Sequence, residues 1–184
     1  AGGLRPVGLV GLQDEIRPSA PRAIEDCRSA GIRVVMVTGD HADTARSVAA
    51  EVGIDPHPVV TGYTLRGAAD RAARLREANV LARVDPQTKL DLVRALKERG
   101  EVVAMTGDGV NDAPALRHAD VGVAVAGEEG TDVAREAAAV VVTNGELGTI
   151  VTGVREGRRL RHNVASIIGY LLTGNLAEII LVLA

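Results

Sequence analysis

Short apolar runs alternate with more polar stretches through the first 142 residues, and this alternation predicts the secondary structure. Strands are predicted at 7–12, 32–37, 80–84, 101–105, 121–126 and 139–142. Helices are predicted at 19–30, 43–52, 64–78 and 85–99, where prolines stand in a first turn or a glycine marks an end. Segment 55–62, with its two prolines, is predicted to be a loop. Strands that alternate with helices indicate an α/β fold with a parallel sheet covered on both faces.

The pattern changes after Gly145. Residues 151–163 form a helical stretch with four arginines, and residues 164–184 carry only one formal charge, Glu178. As a helix, these last 21 residues would be ~31 Å long, about the thickness of a bilayer's hydrocarbon core. We therefore expect a domain at 1–150, a basic cytoplasmic stalk helix at 151–163 and a transmembrane helix at 164–184. The alternatives are a buried core helix and an artefact of where the sequence was cut.

Composition narrows the possible classes of protein. Apolar residues make up 46% of the chain, but only Tyr63 and Tyr170 are aromatic, so the core must consist of aliphatic side chains. The net charge of −3, with acids and bases mixed along the chain, argues against a nucleic-acid-binding surface. The single cysteine, Cys27, favours a reducing compartment. Without a leader segment or an initiator Met, the sequence is expected to begin inside a longer protein.

The segment TGDGVNDAP, Thr106 to Pro114, is the strongest chemical signal. It follows a predicted strand, which is where open α/β sheets place their ligands. Asp108 and Asp112 are close in sequence across a glycine-rich turn, so a cation is needed to reduce their repulsion, and Mg²⁺ suits such oxygen ligands. Asn111 between them can donate to phosphate oxygens. An ordinary turn with solvated acids is the simpler alternative.

Two weaker signals accompany this turn. Thr38, Gly39 and Asp40 end another predicted strand, where a hydroxyl and free N–H groups can hold a phosphoryl group, although such a turn also caps helices. Lys89 lies near the start of its predicted helix, where a positive charge opposes the helix dipole unless a phosphate is its partner. Lysines on helix surfaces are usually only solvated, so the case depends on all three elements occurring together.

Their order resembles the haloacid-dehalogenase superfamily. Within it, TGDHADTA (38–45), ARVDPQTK (82–89), MTGDGVNDAPAL (105–116) and GTDVAREAA (130–138) are similar to P-type cation-transporting ATPases. The resemblance implies that Thr38 and Gly39 hold the phosphoryl group, which Lys89 neutralises and Asn111 hydrogen-bonds. It places Asp40 and Arg83 on the nucleotide side. It also makes Asp108 a ligand of the catalytic Mg²⁺, supported by Asp112, and makes Asp14 with Arg17 similar to a hinge motif whose middle residues differ here.

The resemblance extends to the predicted membrane helix. Asn175 and Glu178 are three residues apart and share a helix face, and a carboxylate inside a membrane is most often part of an ion path. Their oxygens suit a cation such as Ca²⁺. Alternatively, Glu178 lies near a helix end and reaches water. The stretch YLLTGNLAE resembles the fifth membrane helix of calcium pumps, in which the matching residues bind the transported ion.

These pumps transfer the γ-phosphoryl group of ATP to an aspartate in a DKTGT motif, which this sequence lacks. The resemblance therefore implies an incomplete Rossmann-like parallel sheet without its central, nucleophile-bearing strand, followed by a long helix that enters the membrane. We expect a part of an ATP- and Mg²⁺-dependent cation pump, inactive alone, whose partners are the bilayer and the pump's remaining domains. The alternatives are a soluble phosphatase of the same superfamily, which would need its own Asp-x-Asp motif, and a non-catalytic remnant that binds Mg²⁺ or nucleotide.

Overall fold

The computed structural model describes residues 7–8, 15–125 and 130–183, apart from the side chains of 177, 178 and 180–183. Residues 9–12 of the first predicted strand, and Asp14 of the predicted hinge, lie outside the described residues. The helices are α1 Ala20–Ser29, α2 Ala42–Glu51, α3 Gly62–Leu65, α4 Arg71–Glu77, α5 Pro86–Lys97, α6 Ala113–His118, α7 Asp132–Ala137 and α8 Leu147–Leu183. The strands are β1 Met36–Val37, β2 Val59–Thr61, β3 Val80–Ala82, β4 Ala104–Gly107, β5 Val121–Val125 and β6 Val140–Val142. This order confirms the α/β class.

The strands form two parallel sheets of three strands each. Their orders are β1-β3-β2 and β4-β5-β6. In the first sheet Val37 pairs with Leu81, and in the second Thr106 pairs with Val123. Strands β1 and β4, which lead into the two predicted phosphate-site turns, are both edge strands of their sheets. This division agrees with the predicted parallel sheet that lacks a central strand.

Helix α5 packs against both sheets. Leu92, Ala95 and Leu96 join the cluster built around Leu81 of β3, whereas Val93 joins the cluster that contains Met105 of β4. The half-buried Val103, just before β4, packs against both clusters. The core is thus continuous between the two sheets, and α5 is the element that connects them.

The structure corrects several predicted boundaries. Strand β2 lies inside the predicted loop 55–62, because Val59 and Val60 pair with β3 immediately after the prolines. The predicted helix 64–78 is two helices, α3 and α4, and the chain turns between them at Gly67, whose φ is +70°. Helices α6 and α7 had not been predicted.

The chain from residue 147 onward is one helix of 37 residues, α8, about 55 Å long. It includes both the predicted stalk and the predicted span. In the part of the chain that the structure describes, no helix meets the length and hydropathy needed to cross a membrane. The span at 164–184 includes side chains outside the description and stays a prediction.

Candidate active site

The glycine-rich turn after β4 holds Asp112 against the backbone of Gly107. A Cβ atom on Gly107 would lie 2.5 Å from the Cβ of Asp112 and 2.7 Å from its Oδ2. No side chain could be accommodated there without displacing the carboxylate. Asp112 is only 6% exposed, so this turn buries a charged group that needs a partner.

That partner is Lys89, whose Nζ donates to Oδ1 of Asp112 at 2.5 Å. The two side chains are 15% and 9% exposed, which makes this a nearly buried ion pair. Lys89 follows β3 of the first sheet, whereas Asp112 follows β4 of the second. The contact therefore joins the ends of both sheets, and the structure brings together these two sequence-predicted residues.

The position of Lys89 depends on how α5 begins. Asp85 caps the helix by accepting a hydrogen bond from the Thr88 N–H at 2.8 Å, and Pro86 occupies the first helical position. Hydrogen bonds from Thr88 lower the pKa of the Asp85 carboxyl below its usual value. The cap keeps the first turn of α5 formed, and Lys89 projects from the end of that turn.

Asp108 and Asn111 are both exposed, in contrast to Asp112. The carbonyl oxygen of Asp108 accepts hydrogen bonds from the backbone N–H of Thr131 at 2.9 Å and from its hydroxyl at 3.2 Å. Thr131 also caps α7 by accepting from the Ala134 N–H. Sequence reasoning had assigned Thr131 no role, although a threonine before an aspartate at a helix start is a recognisable capping signal.

The Thr38–Asp40 turn follows β1 and is held by its own side chains. The Thr38 hydroxyl donates to Oδ2 of Asp40 at 2.8 Å and accepts from the Asp40 N–H at 3.0 Å. Gly39 and Asp40 are exposed. Arg83 lies beside this turn, with its N–H donating to the Asp40 carbonyl oxygen at 3.0 Å. The structure therefore brings the two predicted nucleotide-side residues, Asp40 and Arg83, into contact through the backbone.

The predicted residues fall into two groups. Lys89, Asp108, Asn111 and Asp112 lie around the turn after β4, and Thr38, Gly39, Asp40 and Arg83 lie around the turn after β1. Among the described residues, no hydrogen bond or ion pair links one group directly to the other. Both groups follow parallel strands at the carboxyl ends, the side of such sheets where ligands bind.

The acids around Gly107 suit Mg²⁺ better than an ion that needs a closed set of protein ligands. Within the described ranges, no group of three or more His, Cys, Asp or Glu side chains could hold a metal. Mg²⁺ usually takes only one or two carboxylates and completes its shell with water and substrate phosphate. Asp108 is exposed, whereas Oδ1 of Asp112 already accepts a hydrogen bond from Lys89. The assignment of Asp108 as the principal ligand, supported by Asp112, stays a prediction.

The residues predicted to bind the transported ion belong to α8. Asn175 is exposed, and the side chain of Glu178 lies outside the described residues. The helical backbone places these two positions on one face. Their assignment as ligands stays a prediction.

Arg17 of the predicted hinge binds the segment that leads into α8. Its guanidinium donates to the carbonyl oxygen of Gly145, and Ser19 donates to the carboxylate of Glu146. Further along, Arg158 of α8 donates to the Ala30 carbonyl oxygen at 2.7 Å. These contacts tie α1 to the first part of the long helix.

Comparisons with known proteins agree with these features. The haloacid dehalogenase-like hydrolase family matches residues 2–120. Calcium-transporting ATPase 1 of Bacillus cereus is 47% identical over 178 residues, covering 95% of this chain and 20% of that protein. Calcium-transporting ATPase of Bacillus subtilis is 42% identical, covering 98% and 21%. The probable cation-transporting ATPase F of Mycobacterium tuberculosis is 47% identical, covering 100% and 21%. The chain thus spans about a fifth of the length of these relatives.

A solved structure gives the same result. The crystal structure of a zinc-transporting PIB-type ATPase in the E2.Pi state is 29% identical to this chain, with a TM-score of 0.66, and the match covers 84% of this chain and 21% of that one. The predicted resemblance to P-type cation-transporting ATPases is confirmed. The chain belongs to the haloacid dehalogenase-like hydrolase family.

Proposed function

We propose that this chain acts as part of a P-type pump that uses ATP, through an aspartyl-phosphate intermediate, to move a cation across a membrane. The observation that carries this proposal is the Lys89–Asp112 pair at 2.5 Å, which joins the start of α5 to the glycine-rich turn after β4 that also contains the exposed Asp108. Phosphoryl transfer requires mainly positioning and charge stabilisation. A largely buried lysine and a metal-ligating acid would supply both.

In the proposed reaction, an aspartate supplied from outside this sequence attacks the γ-phosphorus of ATP. A carboxylate oxygen forms a bond to phosphorus while the bond to the β–γ bridging oxygen breaks, and ADP leaves. Lys89 offsets negative charge on the transferring group, and Thr38 with the Gly39 N–H positions it. Mg²⁺ held at Asp108 would screen the phosphoryl oxygens. Asn111 would donate a hydrogen bond to the phosphate, and Asp40 and Arg83 would contact the nucleotide.

The contacts of α8 suggest how phosphorylation would reach the ion. Arg17 and Arg158 fix α1 and the segment around Gly145 to the long helix, so a movement of the domain would move α8 with it. We place the stalk at 151–163 in the cytoplasm and the following segment in the membrane. Asn175 and Glu178 would then provide oxygen ligands to the transported cation.

We propose Ca²⁺ as that cation. Two of the relatives described above are named calcium-transporting ATPases. An amide oxygen and a carboxylate oxygen on one helix face are the hard ligands that Ca²⁺ prefers.

Phosphoenzyme formation from γ-labelled ATP tests the proposal in the complete protein that contains this chain. Asp108→Asn is expected to reduce labelling by about 10²-fold or more, the typical loss when a charge-stabilising group is removed. In the same assay Glu178→Gln should raise the Ca²⁺ concentration needed for labelling. The surface variant Asp132→Asn, whose side chain is 91% exposed, serves as the control and should label normally. Normal labelling of Asp108→Asn would contradict the metal assignment, and unchanged Ca²⁺ dependence of Glu178→Gln would contradict the ion site.

A further inference from the structure

Arg83 adopts a backbone conformation that is unusual for its residue type. Its φ is +51°, and no other non-glycine residue in the described part of the chain has a positive φ. Left-handed backbone is unfavourable for residues with a Cβ and persists only where the surroundings enforce it. Such residues concentrate at functional sites.

Hydrogen bonds to the neighbouring turn hold one side of Arg83. Its N–H donates to the carbonyl oxygen of Asp40 at 3.0 Å, and the next N–H, from Val84, donates to the carbonyl oxygen of Thr38 at 3.3 Å. The conformation of Arg83 is therefore coupled to the backbone of the Thr38–Asp40 turn.

Gly62 lies against the other side of Arg83. A Cβ atom on Gly62 would lie 2.3 Å from the Arg83 carbonyl oxygen and 3.3 Å from its carbonyl carbon. Atoms of the main chain cannot move aside as the end of a flexible side chain can. Gly62 is the first residue of α3, where Thr61 forms a capping box with Thr64, so a short capped helix fixes its place.

We propose that Gly62 is a positioning residue for the nucleotide-side groups of the site. Because Gly62 has no side chain, the Arg83 peptide can lie close to α3. That peptide in turn orients the Thr38–Asp40 turn and fixes the backbone position from which the exposed Arg83 side chain extends. This inference rests on the proposed function, because the proposed function is what places Asp40 and Arg83 in contact with the nucleotide. Displacing this peptide should weaken ATP binding more than the transfer step.

The test is Gly62→Ala in the complete protein, measured as phosphorylation at varied ATP concentration. Half-saturation should require at least about tenfold more ATP, equivalent to about 1.4 kcal/mol of binding, while the rate at saturating ATP should fall by a smaller factor, because the displaced peptide also contacts Thr38. The matched control is Gly148→Ala, near the start of α8, where an added Cβ meets nothing within 4 Å. This control should leave both parameters unchanged. Half-saturation of Gly62→Ala equal to that of the unaltered protein would overturn the proposal.

Amide hydrogen exchange tests the positioning role of Gly62 independently of the proposed function. If the unaltered protein is not phosphorylated by ATP, the proposed function fails, but the amides of Arg83 and Val84 still report on the contact. Faster exchange at both amides in Gly62→Ala, and not in Gly148→Ala, would support the positioning role. Unchanged exchange would overturn it.

A double variant covers the case in which Gly62→Ala does not fold. Glycine at position 83 can turn its peptide away from an added Cβ, because it has access to backbone conformations that arginine lacks. Gly62→Ala should therefore be tolerated better in the Arg83→Gly background than alone. If Arg83→Gly folds and the double variant does not, the proposed contact is wrong.

Discussion

The buried ion pair between Lys89 and Asp112 allows a quantitative test of how this site is built. Lys89→Met keeps most of the length of the side chain but removes its charge, which leaves the Asp112 carboxylate at 6% exposure without its partner. Removing one member of a buried pair typically costs about 3–5 kcal/mol. Lys89 lies near the amino end of α5, where its charge is unfavourable by about 0.3–1 kcal/mol, and that penalty disappears in the variant. We therefore expect the free energy of unfolding to fall by about 2–5 kcal/mol.

Lys97 provides the matched control on the same helix. Its Nζ lies 3.0 Å from Oδ1 of Asp120, but the two side chains are 33% and 36% exposed. Ion pairs that are exposed to solvent to this degree contribute at most about 1 kcal/mol to the free energy of unfolding. Lys97→Met should therefore cost much less than Lys89→Met, although each removes one lysine–aspartate contact from α5.

Urea unfolding followed by circular dichroism measures both variants and completes a double-mutant cycle with Asp112→Asn. The double variant Lys89→Met with Asp112→Asn should be less destabilised than the sum of the single variants, with a coupling of about 1–3 kcal/mol. Equal costs for Lys89→Met and Lys97→Met would refute the reasoning, as would a coupling near zero.

Two further predictions concern the helix caps beside the site. Because hydrogen bonds from Thr88 lower the pKa of Asp85, its contribution to stability is complete above the usual aspartate pKa of about 3.9 and is lost as the pH falls through the lower folded-state value. The difference in unfolding free energy between the unaltered chain and Asp85→Asn, which keeps the cap but cannot ionise, should shrink from pH 6 to pH 3; a difference independent of pH would contradict the assignment. Thr131→Val removes the hydroxyl that binds the Asp108 carbonyl oxygen, so Mg²⁺ half-saturation of phosphoenzyme formation should rise by about 10-fold or more. Thr131→Ser should stay close to the unaltered protein, and equal Mg²⁺ dependence of all three proteins would contradict the positioning role of Thr131.

The sequence predicted best those elements whose signals are local. Helix α5 begins at Pro86, directly after its capping residue Asp85, and ends before Gly100, as the capping and stop residues indicate. The turn Gly107–Asp112 was predicted because its acids and glycines are contiguous. Local chemistry alone was sufficient at both places.

The sequence predicted poorly what depends on contacts between distant segments. The sequence pattern predicts a loop where β2 lies, because prolines precede this strand, and only its pairing with β3 makes it a strand. The contacts of Gly62 with Arg83 and of Thr131 with Asp108 join residues more than 20 positions apart. No local pattern indicates such pairs, so their importance was visible only in the folded chain.

The charged residues at the carboxyl ends of the strands explain why the proposed site needs a metal. A parallel strand that paired with both β1 and β4 would end at the same edge as the Thr38–Asp40 turn and Asp108, because parallel strands of one sheet share their carboxyl edge. At that edge the acids Asp40, Asp108 and Asp112 outnumber the bases Lys89 and Arg83 by three to two. Lys89 shares its positive charge with Asp112, so on its own it only partly offsets the negative charge of a phosphorylated residue arriving there. A divalent cation at Asp108 would offset the remaining negative charge, and this is why the proposed reaction should require Mg²⁺ even though the site contains a buried lysine.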